Sequence, residues 1–314
     1  MSQIQTSSTL STPVKGVLLM LGFAAFAPII DIFAKLAGTE VPVGQITLAR
    51  FTVQTAILFP IAYMLGTLHW PDRREIGLHL LRGLLIVLAT TAFFYALKFM
   101  AVAEAISIFF VEPLIVTLLG SLFLGEIVGW RRVVAAFVGF GGALIVIRPS
   151  FVEFGWVALV PLITAFFFAL YLLLTRTMAQ RMNPLTLQTY TSLAGLVIVA
   201  PVLWLFDGTG HILLDPVWPE PVFWVYLVCT GVAATFAHLL LSFAFKFAPA
   251  STLAPLQYME IVSATFLGFL VFSDLPDAMT FLGIAIIIAS GIYIFWRERS
   301  LSRELASEVP AETI

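Results

Sequence analysis

Long apolar runs are the feature that most limits what this chain can fold into. About ten stretches of roughly twenty apolar residues follow one another, separated by short polar breaks. The first half holds about Gly16 to Ala37, Val43 to Gly66, His79 to Met100, Ala103 to Leu124 and Val133 to Ile147. The second holds about Trp156 to Leu174, Leu185 to Phe206, Val222 to Phe245, Thr252 to Phe272 and Met279 to Trp296. Runs of this length without alternation are helical, because backbone polar groups in lipid must be satisfied within their own segment. The 314 residues are 61% hydrophobic and 11% charged, against roughly 25% charged in soluble domains. The fold expected is therefore an all-α membrane protein.

One stretch returns. ALKFMAVAEAISIFFVEPLIVTLLGSLFLGE (Ala96 to Glu126) reappears, altered, as AFKFAPASTLAPLQYMEIVSATFLGFLVFSD (Ala244 to Asp274). At a constant shift, Lys98 meets Lys246, Glu112 meets Glu260, Gly120 meets Gly268 and Glu126 meets Asp274. A repeat of this length means two copies of one structural unit. With the N-terminus inside, eleven Lys and Arg residues fall on the cytoplasmic side and only Lys98 and Arg148 outside. That bias predicts ten transmembrane helices with both termini cytoplasmic. Five helices per copy is an odd number, so the two copies enter the membrane in opposite senses, as inverted five-helix repeats. The expected divisions are 15–148, 152–297 and a cytoplasmic tail over 298–314.

A charge in the middle of a lipid-soluble helix costs at least a few kcal/mol, so each one calls for a reason. Glu112 and Glu260 fall near the centres of the fourth and ninth segments, where they would bind a proton or neutralise a cationic substrate. The competing reading is a hydrogen bond that ties neighbouring helices. Asp31 and Arg50 fall at similar depth on adjacent helices and are expected to form a structural ion pair, with Lys35 one turn beyond Asp31 able to share it. Arg82, near an inner helix end, is expected to snorkel. Tyr95, Tyr171, Tyr258, Trp156, His238 and Gln257 are candidate cavity walls, although a buried aromatic or histidine is more often plain packing. Pro113 should kink the helix beside Glu112, and Ala135, Gly139 and Ala143 form a stripe for close helix packing.

Several chemistries find no support in the residues. There is no GxxxxGK[ST] loop, no HExxH and no GxSxG elbow. Four scattered histidines and the lone Cys229 suggest neither a metal site nor a cofactor, and the near-neutral charge gives no hint of nucleic acid. The reading is a secondary transporter that moves a small organic metabolite across the cytoplasmic membrane by alternating access, with the lipid bilayer as its surroundings. Proton coupling and a homodimer are both compatible with it. An intramembrane enzyme acting on lipid intermediates is the alternative, but such an enzyme should cluster its acids, and here they are spread singly.

VEPLIVTLLGSLFLGE (Val111 to Glu126), its echo YMEIVSATFLGFLVFSD (Tyr258 to Asp274) and the duplicated arrangement resemble the EamA group of the drug/metabolite transporter superfamily. The resemblance runs from about Lys15 to Arg299. It implies a secondary carrier that exports amino acids and other metabolites, or imports compounds such as S-adenosylmethionine or riboflavin. It also implies a cavity reached by Asp31, Tyr95, Glu112, Trp156, His238, Gln257 and Glu260.

Overall fold

The computed structural model describes residues 12–116, 119, 130–248, 253 and 256–308. Among them the regular structure is helical, with no strand. The helices are α1 (Thr12–Ala37), α2 (Val43–Met64), α3 (Arg73–Leu97), α4 (Val102–Phe109), α5 (Trp130–Phe154), α6 (Val160–Ala179), α7 (Pro184–Phe206), α8 (Pro221–Phe247), α9 (Met259–Phe272) and α10 (Ala278–Glu308). Six apolar helical runs are long enough to cross a membrane: 14–37, 43–64, 73–97, 150–179, 184–206 and 221–247. Shorter apolar helices cover 137–146, 259–272 and 278–290. Gly120, Glu126, Thr252, Pro255 and the far end of the expected fourth helix lie outside the described residues.

Local chemistry sets the helix ends. α3 begins six residues earlier than the apolar run suggested, inside the polar WPDRREIG break. There Asp72 accepts from the Glu75 amide at 2.8 Å while the Glu75 carboxylate accepts from the Asp72 amide at 3.1 Å. This reciprocal box satisfies two amides that would otherwise lack partners. Asn183 caps α7 through the Leu185 amide at 2.9 Å, and Pro184 follows at the first helical position. α5 continues past Ile147, where the sequence had suggested an end, to Phe154; Gly155 then turns the chain at φ 60 into a short 3-10 segment, Gly155–Leu159.

The kink expected at Pro113 is a full break. α4 stops at Phe109, Phe110 and Val111 leave the helix, and helical backbone resumes at Glu112. Proline has no amide hydrogen to give to the Phe109 carbonyl four residues back, so the ladder parts there. A matching break falls at Tyr258, immediately before α9. Each break is followed at once by one of the repeated acids: Glu112 opens the resumed helix, and Glu260 is the second residue of α9.

The helices pair in a pattern that survives exchange of α1–α5 with α6–α10. α1 packs on α8 as α6 packs on α3, and α1 meets α9 as α6 meets α4. α2 lies against α8 as α7 lies against α3, while α2 with α7 and α5 with α10 are their own counterparts. Small residues permit the closest approaches. A Cβ on Gly231 of α8 would stand 2.4 Å from the Cβ of Val53 on α2, and one on Gly83 of α3 would stand 2.6 Å from the Cβ of Ala194 on α7. The stripe on α5 faces α10, where Ser290 Oγ donates to the Ala135 carbonyl at 2.5 Å.

Lys35 does not share Asp31. It donates to the Met100 carbonyl at 2.8 Å and stands 3.7 Å from Asp274, because the end of α1 lies beside the end of α9 and the α3–α4 link. Arg82 does not snorkel either: it is 0% exposed, since its face of α3 is turned toward α6 and α7.

Two substitutions test this packing. Gly231→Ala is expected to lower stability by about 1–3 kcal/mol through forced separation of α2 and α8, read as a drop in Tm of the detergent-solubilised protein. Asp72→Ala, which removes the α3 cap, should cost about 1 kcal/mol in the same assay.

Candidate substrate cavity

Helical spacing places the cavity-lining groups on single faces. On α1, Phe23, Ala27, Ile30 and Asp31 recur every three or four residues, and Ile86, Ala89, Thr90, Phe93 and Phe94 do so on α3. These two faces converge with Arg50 of α2, Thr164 and Phe168 of α6, His238 of α8, and the broken stretches that carry Phe109, Phe110, Glu112, Gln257 and Glu260. The space between them, open space at its mouth included, is about 650 Å³. Six phenylalanines, Phe23, Phe93, Phe94, Phe109, Phe110 and Phe168, contribute to its walls. Phe109 stands edge-on to Phe93, Phe110 and Phe168, with ring centres 5.4–5.8 Å apart.

Glu112 is 1% exposed, and its Oε1 has no hydrogen-bond partner among the described residues. A carboxyl oxygen left unpaired in a protein interior loses the water it had in solution and gains nothing in return. It is a natural point of contact for whatever enters. Asp31 and Glu260 share the same space. The cavity thus sets three carboxyls against one guanidinium.

That guanidinium is held by two neutral groups that also line the cavity. Arg50 Nη1 donates to Thr90 Oγ1, and Nη2 lies 2.6 Å from His238 Nε2. Arginine has only donors, so Nε2 accepts and the neutral imidazole carries its proton on Nδ1, 3.4 Å from Tyr171 Oη. Tyr171 in turn accepts from Arg82 Nη2 at 2.8 Å. Arg82 also donates to Thr175 at 2.9 Å, to the Leu187 carbonyl at 3.2 Å, to Gln188 at 3.3 Å and to Thr191. A continuous polar chain therefore crosses from the cavity to the α3–α6–α7 junction.

Of the residues singled out from sequence, Asp31, Arg50, Glu112, His238, Gln257 and Glu260 come together here. Tyr95 and Trp156 do not line the space. Tyr95 packs on Phe99, and Trp156, 78% exposed, sits in the 3-10 segment against Phe151. Gly155 turns the chain just before Trp156, so this indole faces outward instead of capping a helix over the cavity. Tyr258 lies behind the wall, its ring 5.3 Å from Phe110 and its hydroxyl without a partner among the described residues. The expected Asp31–Arg50 ion pair is not closed within 4 Å; the nearest donors of Arg50 are turned toward Thr90 and His238. Sequence reading missed the role of Thr90, the phenylalanine faces of α3 and α4, and the Arg82 network. The i, i+3, i+4, i+7 recurrence from Ile86 to Phe94 was the one available signal, and it is the same signal that any buried helix face gives.

The family model described as "EamA-like transporter family" matches residues 14–148 and again 155–296. A riboflavin transporter of Vibrio cholerae is 28% identical over 299 residues, covering 93% of this chain and 97% of that protein. An S-adenosylmethionine uptake transporter of Rickettsia felis is 26% identical over 282 residues, covering 88% and 92%. A crystal structure at 21% identity superposes with a TM-score of 0.61 over 92% of this chain and 99% of its own, which supports the fold alone. These relatives are carriers, and the reading as an intramembrane enzyme falls away. The chain is a multi-pass membrane transporter and belongs to the EamA-like transporter family.

Proposed function

We propose that this transporter imports a cofactor-like metabolite carrying a flat heterocycle and a positive charge, with S-adenosylmethionine as the model compound. The observation that carries this reading is the cavity wall. Phenylalanine rings offer stacking faces to a heterocycle, and a cation held over such a face gains a further ~0.5–2 kcal/mol. Three carboxylates against one guanidinium give the space a formal charge of −2, which favours a cation over an anion. The S-adenosylmethionine carrier among the relatives points to the same class.

The architecture that accompanies this reading is ten crossings in two inverted five-helix halves, 15–148 and 152–297, with a cytoplasmic tail over 298–314. The helix pairing that survives exchange of the halves supports it, as do the matched breaks before Glu112 and Glu260 and the cytoplasmic excess of Lys and Arg. Rocking of one half against the other would expose the cavity to each side in turn. Glu112 and Glu260 stand at the two breaks and would carry the coupling proton. A substrate of net charge +1 together with one proton would cancel the formal −2, and that balance favours proton-coupled uptake. Riboflavin is the second reading, favoured by the aromatic wall and by the Vibrio cholerae relative.

The test is uptake of labelled S-adenosylmethionine and of riboflavin by vesicles containing the purified protein, between about pH 5.5 and pH 8 outside. The expected result is S-adenosylmethionine uptake that an inward proton gradient accelerates. Glu112→Gln combined with Glu260→Gln should lower the rate at least about tenfold, the scale of a lost charge-assisted contact, and abolish the gradient response. A double variant that keeps the wild-type rate at every pH would sink the assignment of these acids, and transport of riboflavin alone would replace the substrate class.

A further inference from the structure

The protein buries two guanidinium groups in opposite states of satisfaction. Arginine has five donor hydrogens. Arg82 makes five hydrogen bonds to neutral oxygens, its ring neighbour Tyr171 lies 4.5 Å from Cζ, and it does not line the cavity described above. Arg50 makes two hydrogen bonds, to Thr90 and His238, and its buried Nε has no partner among the described residues. At 4% exposure it lines the cavity, and no carboxylate lies within 4 Å of it among the described residues. Arg82 is finished as a structural group, whereas Arg50, which lines the cavity, is short of acceptors.

We infer that Arg50 is the specificity-determining cation of the cavity, taking a carboxylate of the transported molecule, and that His238 and Arg82 are positioning residues that aim it. This deepens the substrate class proposed above and rests on it. Arg82 holds the Tyr171 hydroxyl, Tyr171 receives the Nδ1 proton of His238, and the free Nε2 of His238 accepts from Arg50. Each link fixes the donor and acceptor role of the next. A guanidinium held at two points keeps further N–H groups unpaired, and such groups take a carboxylate as a planar fork. The site then offers Arg50 to a carboxylate, Asp31, Glu112 and Glu260 to cationic groups, and phenylalanine faces to a heterocycle. The molecule it fits is an amino-acid-bearing nucleoside, a class narrower than cations in general.

The experiment compares uptake of S-adenosylmethionine with uptake of its decarboxylated analogue, which keeps the sulfonium and the amine. The wild type should prefer the carboxylated compound by about tenfold or more in apparent KM, the value of one charge-assisted hydrogen-bonded pair. In Arg50→Met the preference should reverse, because the three carboxyls remain and the analogue carries more positive charge. His238→Leu should weaken the preference, while His238→Gln, which keeps an acceptor toward Arg50 and a donor toward Tyr171, should retain it. A merely structural lesion would lower uptake of both compounds together and leave their ratio alone. Arg50→Met that still prefers the carboxylate overturns the inference. If that variant does not fold, equal handling of both compounds by the wild type overturns it as well. Failure of the wild type to move either compound sinks the substrate class itself, a separate and recognisable outcome.

Discussion

A charge inside hydrocarbon has to find either a polar partner or a space that admits water and solute, and this one requirement orders the whole molecule. Leaving an ionised group uncompensated there costs several kcal/mol. Arg82 meets the requirement with a full shell of hydroxyls, an amide and a carbonyl from α6 and α7. Asp31, Arg50, Glu112 and Glu260 meet it by facing a common cavity. The helices on which these groups ride are consequently drawn together at their charged positions, and the apolar faces turned away are left for lipid.

The two helix breaks belong to the same logic. Irregular backbone at membrane depth is tolerated where it lines a cavity, since its unpaired carbonyls and amides then have somewhere to turn. Here each break is followed within two residues by an acid, in the first turn of a helix whose amino end favours negative charge. Backbone and side chain thus supply the cavity with complementary polarity at two places related by the repeat.

Much of this was legible in the sequence. The run lengths announced membrane helices, the pairing of Glu112 with Glu260 marked two acids that line one cavity, and VEPLIVTLLGSLFLGE pointed to the family. The break at Pro113 was foreseen as a kink and understated in degree, because the cost of a missing amide depends on whether neighbouring helices close over the gap. Arg82 was misjudged for a related reason. A window of sequence shows how near a residue lies to a helix end, but not whether lipid or two other helices stand beside it. The same holds for Trp156, whose direction depends on the turn made at Gly155.

What the sequence determined by itself is the set of constraints written into single segments: helical state, membrane environment, the rank of each acid along its helix and the doubling of the unit. These follow from local periodicity and composition, which no long-range contact has to confirm. Only the tertiary structure decided which of the intramembrane charges meet. It turned Arg50 toward Thr90 and His238 instead of Asp31, sent Lys35 to Asp274, and saturated Arg82 while leaving Arg50 with donors to spare. The physical reason is that a side chain long enough to reach several partners chooses among them by the packing of helices distant in sequence, and that packing is a property of the whole bundle.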